Sequence, residues 1–231
     1  MSKLPTKSSS GDVATFLEKL ARTPALRTGG AAGRLIFAMD ATASREPSWD
    51  RACQIQAEMF KETATLGGLE VQLVYYRGFG ECKASKWADS ADKLLRAMTG
   101  VRCLGGTTQI GRVLQHAISE TERRKVNALV FVGDCMEEDI DALCDLAGKL
   151  GVLGVPVFVF QEGNHPVATR AFPQIARLSG GAWCRFDSGS AQQLRELLSA
   201  VAVYAAGGRV ALEHYGKRTG GAVLQIARQV K

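Results

Sequence analysis

The chain has 231 residues, 46% of them hydrophobic, enough to bury the core of one large domain. Its formal net charge of +6 is spread along the sequence; the densest basic run, Arg123, Arg124 and Lys125, closes a predicted helix, where cations suit the helix dipole, and no nucleic-acid-binding motif accompanies it. No run of about 18 uncharged apolar residues could span a bilayer, and MSKLPTKSSS lacks the apolar stretch of a secretory signal, so a cytoplasmic protein with neither membrane nor nucleic acid as partner is expected.

Residues 1–10 are polar and Ser-rich and read as a disordered tail. Val13, Phe16, Leu17 and Leu20 then fall at helical spacing, which predicts an amphipathic helix from Asp12 to about Ala21, followed by a Gly/Ala-rich connector to Gly33. From Arg34 apolar runs alternate with helical patterns. Leu35–Met39, Val71–Tyr76, Ala128–Val132, Val155–Phe160 and Trp183–Phe186 have strand lengths, and most are continuously apolar, as in strands covered on both faces. Pro156 fits only at a strand start. Between them the periodicity predicts helices near Trp49–Leu66, Trp87–Met98, Ile110–Thr121, Glu138–Leu150, Val167–Leu178 and Ala191–Ala205.

One interval breaks the rhythm. After the second strand, Arg77-Gly-Phe-Gly80 and Glu81–Lys86 leave no room for a crossover helix, so a hairpin with a short antiparallel edge strand is expected. The class is therefore α/β: a doubly wound, mostly parallel sheet with helices on both faces, over 34–206. Residues 207–231, with the doublets Gly207-Gly208 and Gly220-Gly221, read as a C-terminal tail with a short helix at Val223–Arg228.

Ligands of open α/β sheets sit beyond the carboxyl ends of the strands. There the first strand runs into Asp40-Ala-Thr42-Ala-Ser44, and the strand Ala128–Val132 runs into Gly133-Asp134. Between them in sequence, Gly105-Gly106-Thr107-Thr108 opens a helix. Alone, each fragment is also what a turn or helix N-cap looks like.

Together and in this order, D-x-T-x-S, then G-G-T before a helix, then an apolar strand ending in G-D resembles the metal-ion-dependent adhesion site of von Willebrand factor A domains. The resemblance covers about Arg34 to Ala205. It implies a metal site of Asp40, Thr42, Ser44, Thr107 and Asp134, with Thr108 as the alternative second-loop hydroxyl and Asp134 a ligand through water. Thr42 stands where the family more often has serine, Gly133-Asp134-Cys135 replaces the commoner Thr-Asp-Gly, and Arg45-Glu46-Pro47 departs from the usual continuation, with Arg45 set to compete electrostatically with the metal. The implied ion is Mg2+, with Mn2+ or Ca2+ as substitutes: Mg2+ takes six oxygens, keeps several waters and needs few carboxylates. The implied function is binding of a protein partner whose Asp or Glu completes the metal shell, with no catalytic residues.

The alternative class is a Mg2+-dependent phosphatase or phosphotransferase of the haloacid-dehalogenase type with Asp40 as nucleophile. Against it, position 42 is threonine where such enzymes usually carry a second acid. A nucleotide-binding module lacks the glycine-rich phosphate turns that would support it. His116, His165 and His214 are far apart in sequence; His116 reads as a surface or satisfied core residue and His165 as a candidate for the rim. Trp49 and Trp87 read as packing residues. Glu137, Glu138, Asp139 and Asp141 read as favouring a helix N-terminus, or else as outer-shell contacts to the metal. Six scattered cysteines, with no CxxC and no close Cys/His pairing, read as small buried hydrophobes of a reducing compartment.

Overall fold

A computed structural model describes residues 32–186 and 191–230. The predicted tail 1–10, the helix Asp12–Ala21 and nearly all of the connector lie outside the described residues. Six strands form one sheet: β1 (Gly33–Asp40), β2 (Leu69–Arg77), β3 (Glu81–Ala84), β4 (Ala128–Gly133), β5 (Val157–Glu162) and β6 (Trp183–Phe186), in the order β3-β2-β1-β4-β5-β6. All neighbours are parallel except β3, which pairs antiparallel with β2 at the edge. The helices are α1 (Glu46–Ile55), α2 (Ala57–Thr63), α3 (Ala91–Thr99), α4 (Ile110–Arg123), α5 (Ile140–Val152), α6 (Pro166–Ser179), α7 (Ala191–Thr219) and α8 (Gly221–Gln229).

Alternation along the strands divides the core in two. Leu35, Phe37 and Met39 of β1 face α1, α2, α3, α7 and α8, through Trp49, Met59, Leu94, Leu197 and Val223. Ile36 and Ala38 face α4, α5 and α6, through Val113, Leu143 and Phe172. Burial on both faces is why the central strands read as unbroken apolar runs.

Three expectations are corrected. The helix predicted over Trp49–Leu66 is broken at Gln56, giving α1, α2 and a 3-10 turn at Ala64–Leu66. The helix predicted from Trp87 starts at Ala91, because Ala88 exchanges two 2.7 Å backbone hydrogen bonds with Val71 and is held extended beside β2. The C-terminal stretch read as a tail is helical and packed. α7 runs on to Thr219 through a kink at Gly208 (φ 73°), and α8 buries Val223, Ile226 and Ala227. Gln229 closes the exposed side of β6, accepting from the Trp183 N–H at 2.9 Å and donating to its carbonyl at 3.0 Å. Glycine doublets there act as joints between helices, which their usual role as loop punctuation conceals.

His116 in α4 is half-buried, its ring 2.9 Å from Gln72 Oε1, and burial pushes its pKa below the ordinary histidine value. The folded state thus disfavours His116 protonation, and stability is expected to fall as the pH drops from the unfolded-state value, about 6.5, through the lower folded-state one. Urea unfolding of the native chain and His116→Gln at pH 7.5 and pH 5 tests this: the variant should lose less stability on acidification, and equal losses would refute it.

Candidate metal centre

The strand order reverses at β1, whose successor β2 lies on one side while β4 lies on the other. At such a switch point, loops leaving adjacent parallel strands diverge and open a crevice. Met39 pairs with Val132, so Asp40 at the end of β1 and Asp134 just beyond β4 emerge side by side. Asp40 is fully buried; its Oδ1 accepts from the Thr42 N–H at 2.7 Å, which folds the first loop back over the strand end. A 3-10 turn at Ala43–Arg45 follows, setting the Thr42 and Ser44 hydroxyls 3.4 Å apart. Ser44 Oγ donates to Asp134 Oδ2 at 3.2 Å and so joins the first loop to the third.

The second loop is held by glycine. A Cβ on Gly106 would lie 2.0 Å from the Gly78 carbonyl oxygen, so only glycine lets this loop lie against the β2–β3 turn. Leu104 N–H donates to Ala41 O at 2.9 Å, and Thr107 N–H to Gly78 O at 3.2 Å. The Thr107 side chain is exposed and makes no hydrogen bond to the other four predicted residues among the described residues. Thr108 is buried, and its hydroxyl accepts from the Glu137 N–H at 3.1 Å. Asp40, Thr42, Ser44 and Asp134 are thus linked by hydrogen bonds, Thr108 is committed to the third loop, and the exposed Thr107 hydroxyl makes no hydrogen bond to another described residue.

Neither threonine caps α4. Glu138 does so from the third loop, its carboxylate accepting from Ile110 N–H at 2.5 Å and Gly111 N–H at 2.9 Å, while Glu137 accepts from Thr108 N–H at 3.1 Å. These acids serve the N-terminus of a neighbouring helix; Asp139 caps its own, accepting from Ala142 N–H at 2.8 Å. Glu138→Ala should therefore destabilise the chain by about 1–2 kcal/mol, with Glu138→Gln intermediate. The order of their urea midpoints checks this, and an unchanged midpoint for alanine would refute it.

Electrostatics favour a cation. Asp40 Oδ2 and Asp134 Oδ1 are buried with no hydrogen-bond partner. Burial raises the pKa of Asp40, as does the Asp134 charge, while hydrogen bonds from Thr42 and the positive charge of Arg45 hold it down. Cys135 belongs to the same cluster: its sulfur, an Asp40 oxygen and an Asp134 oxygen all lie within 4.8 Å of one another. Burial first, then Asp134, pushes its thiol up to about 12.

Sequence reasoning missed Tyr76 and Cys135 as neighbours of the site. Tyr76 pairs with Asp40 in the β1–β2 register, is wholly buried, and has its pKa driven well above 10 by burial and then by the Asp40 charge. Only the β1–β2 register brings it beside the site. Arg45 is buried and ion-paired with Glu162, which also accepts from Ser48 Oγ at 2.5 Å, so its charge is balanced within the protein. Both line an open cleft of about 560 Å3 with Ser44, Asp134 and Arg185. His165 caps α6, its Nδ1 accepting from Ala168 N–H at 3.4 Å. Trp49 and Trp87 pack as expected: Trp49 lies edge-on to Tyr75, and Trp87 lies under the Arg34 guanidinium at 3.7 Å.

The fold and site together define an open, doubly wound α/β domain with an oxygen-rich cluster at its switch point. Among solved structures, the chain is similar to a von Willebrand factor type A protein from Catenulispora acidiphila (TM-score 0.61, 15% identity, over 74% of this chain and 43% of that one). It is also similar to the SpRpn10 VWA domain (0.56, 16%, 75% and 95%) and to proximal thread matrix protein 1 from the mussel byssus (0.60, 17%, 75% and 48%). The chain thus spans less than half of the Catenulispora and byssus chains. No protein-family model matches it, and no curated protein matches it in sequence. The fold is von Willebrand factor A-like.

Proposed function

We propose that this chain is a Mg2+-dependent protein-binding module, a scaffold or adaptor acting in the cytoplasm, whose metal is completed by an Asp or Glu of its partner. Asp40, Thr42, Ser44, Thr107 and Asp134 hold the ion in this reading, with Mn2+ or Ca2+ able to substitute. The observation that carries it is a pair of buried carboxylate oxygens, Asp40 Oδ2 and Asp134 Oδ1, neither of which has a hydrogen-bond partner, on aspartates linked to one another through Thr42 and Ser44. Buried acceptors left unpaired are met by a water or an ion, and two carboxylates with small hydroxyls suit a hard ion that keeps several waters. Bound there, the ion would supply an electrophilic centre for a partner's carboxylate oxygen. Thr42 orients Asp40 through its N–H, Ser44 orients Asp134, and Glu138 caps the helix that the second loop opens.

The likeness in fold to VWA domains supports a binding role, and no helix among the described residues is long and apolar enough to cross a membrane. The test is a pull-down from lysate in Mg2+ or EDTA, with Asp40→Ala as control, beside calorimetric titration of Mg2+ and Mn2+. Metal binding and a Mg2+-dependent partner, both lost in the variant, are expected. Unchanged metal affinity in Asp40→Ala would reject the site, and phosphate-ester turnover abolished by Asp40→Asn would reject the function in favour of a phosphatase.

A further inference from the structure

The cluster at the switch point holds one donor that a Mg2+ site does not use. Cys135 follows Asp134 directly, and its Sγ shares a 4.8 Å envelope with one oxygen from each aspartate. Among the described residues, no other group of three or more His, Cys, Asp or Glu side chains comes together in this way. Zn–S bonds near 2.3 Å and Zn–O bonds of about 2.0–2.2 Å keep any two ligands of one ion within about 4.5 Å, the scale of this envelope. A second observation is independent of the sulfur: Asp40 is fully buried and its Oδ2, like Asp134 Oδ1, has no hydrogen-bond partner.

Donor type decides which ion gains from this arrangement. Mg2+ is hard and takes oxygen, whereas a thiolate favours borderline ions such as Zn2+ and Co2+. We propose that Cys135 is a ligand to a thiophilic divalent ion of the Zn2+ or Co2+ class, held together with Asp40 and Asp134 at the site assigned above to Mg2+. This rests on the metal-binding reading of the same site. A sulfur–metal bond forms, the thiol proton passes to solvent, and the ion acquires a third anionic ligand. That ligand would lower the ion's residual charge and so weaken its pull on a partner carboxylate. The identity of the ion would then tune partner binding, the Mg2+ form attracting an acidic side chain more strongly than the thiolate-ligated form.

The test titrates Co2+ and Mn2+ separately into the full chain and into Cys135→Ser, Cys135→Ala and Asp40→Asn, with Zn2+ as competitor. Native protein should develop the near-ultraviolet sulfur-to-cobalt charge-transfer absorption, which Zn2+ abolishes. Both Cys135 variants should lack it, and their preference for Co2+ over Mn2+ should fall about tenfold or more. Thermal unfolding of each variant confirms folding, and either Cys135 variant suffices. Absence of the band in native protein, or its survival in a folded Cys135 variant, overturns the assignment. If Mn2+ still binds and Asp40→Asn removes it, the Mg2+ reading survives that failure; if no ion binds, both fall.

Discussion

Asp40→Asn is expected to make the metal-free protein more stable while removing its response to divalent ions. The Asp40 carboxylate is fully buried with Oδ2 unpartnered, and burial raises its pKa. A raised folded-state pKa means that the stability favouring the protonated form is fully present below the unfolded-state value, about 3.9, and is lost as pH rises through the folded-state value. At neutral pH the metal-free native chain therefore lacks that contribution and bears the cost of burying this carboxyl group. Asparagine keeps an acceptor for Thr42 N–H, places an amide near Asp134 and removes that penalty, a gain of about 1–2 kcal/mol, or roughly 2–8 °C in Tm. It also deletes an anionic ligand, so affinity for Mg2+ or Mn2+ should fall by about 100-fold or more. Thermal unfolding with and without metal gives a crossing pattern. Native protein is the less stable without ion and gains about 2.7 kcal/mol at 100 times its Kd, while the variant does not respond. A metal-free variant less stable than native, or one that still responds, would contradict this account.

The second large effect lies at Arg45. Its side chain is only 1% exposed, Glu162 is its ion-pair partner, and Nε and one Nη have no hydrogen-bond partner. Removing the carboxylate strands a guanidinium in the interior, so Glu162→Gln should destabilise by about 3 kcal/mol, or roughly 6–12 °C in Tm. The stranded charge sits next to Ser44, so metal affinity should fall as well. Arg45→Met combined with Glu162→Gln should recover much of the stability, because the pair vanishes without leaving a charge behind. Urea unfolding of the two singles and the double checks this. A double variant as unstable as the sum of the singles would show that the pair acts through packing.

The alternation of apolar strands with helical periods, read from Leu35 to Ala205, was sufficient to specify a mostly parallel α/β sheet, and Gly78–Gly80 was sufficient to place the antiparallel edge strand. These features were legible because burial on both faces and tight turns leave local marks in composition. The motif resemblance named Asp40, Thr42, Ser44 and Asp134 together, and these four are joined by hydrogen bonds at the carboxyl edge of the sheet. Three-dimensional proximity left no such mark. Cys135 looked like a buried thiol until the third loop set it beside two carboxylates, and Tyr76 looked like core until the β1–β2 register placed it opposite Asp40. Glu138 is a cap only because α4 begins beside it, and Arg45 is balanced by a residue 117 positions away. The stretch after Gly207 was misread as a tail for the same reason. The sequence by itself determined the layers and the strand ends, because those follow from local periodicity. Only the tertiary structure decided which charges are paired, which buried oxygens lack a donor and which sulfur joins them, because these depend on contacts between segments that no local pattern relates.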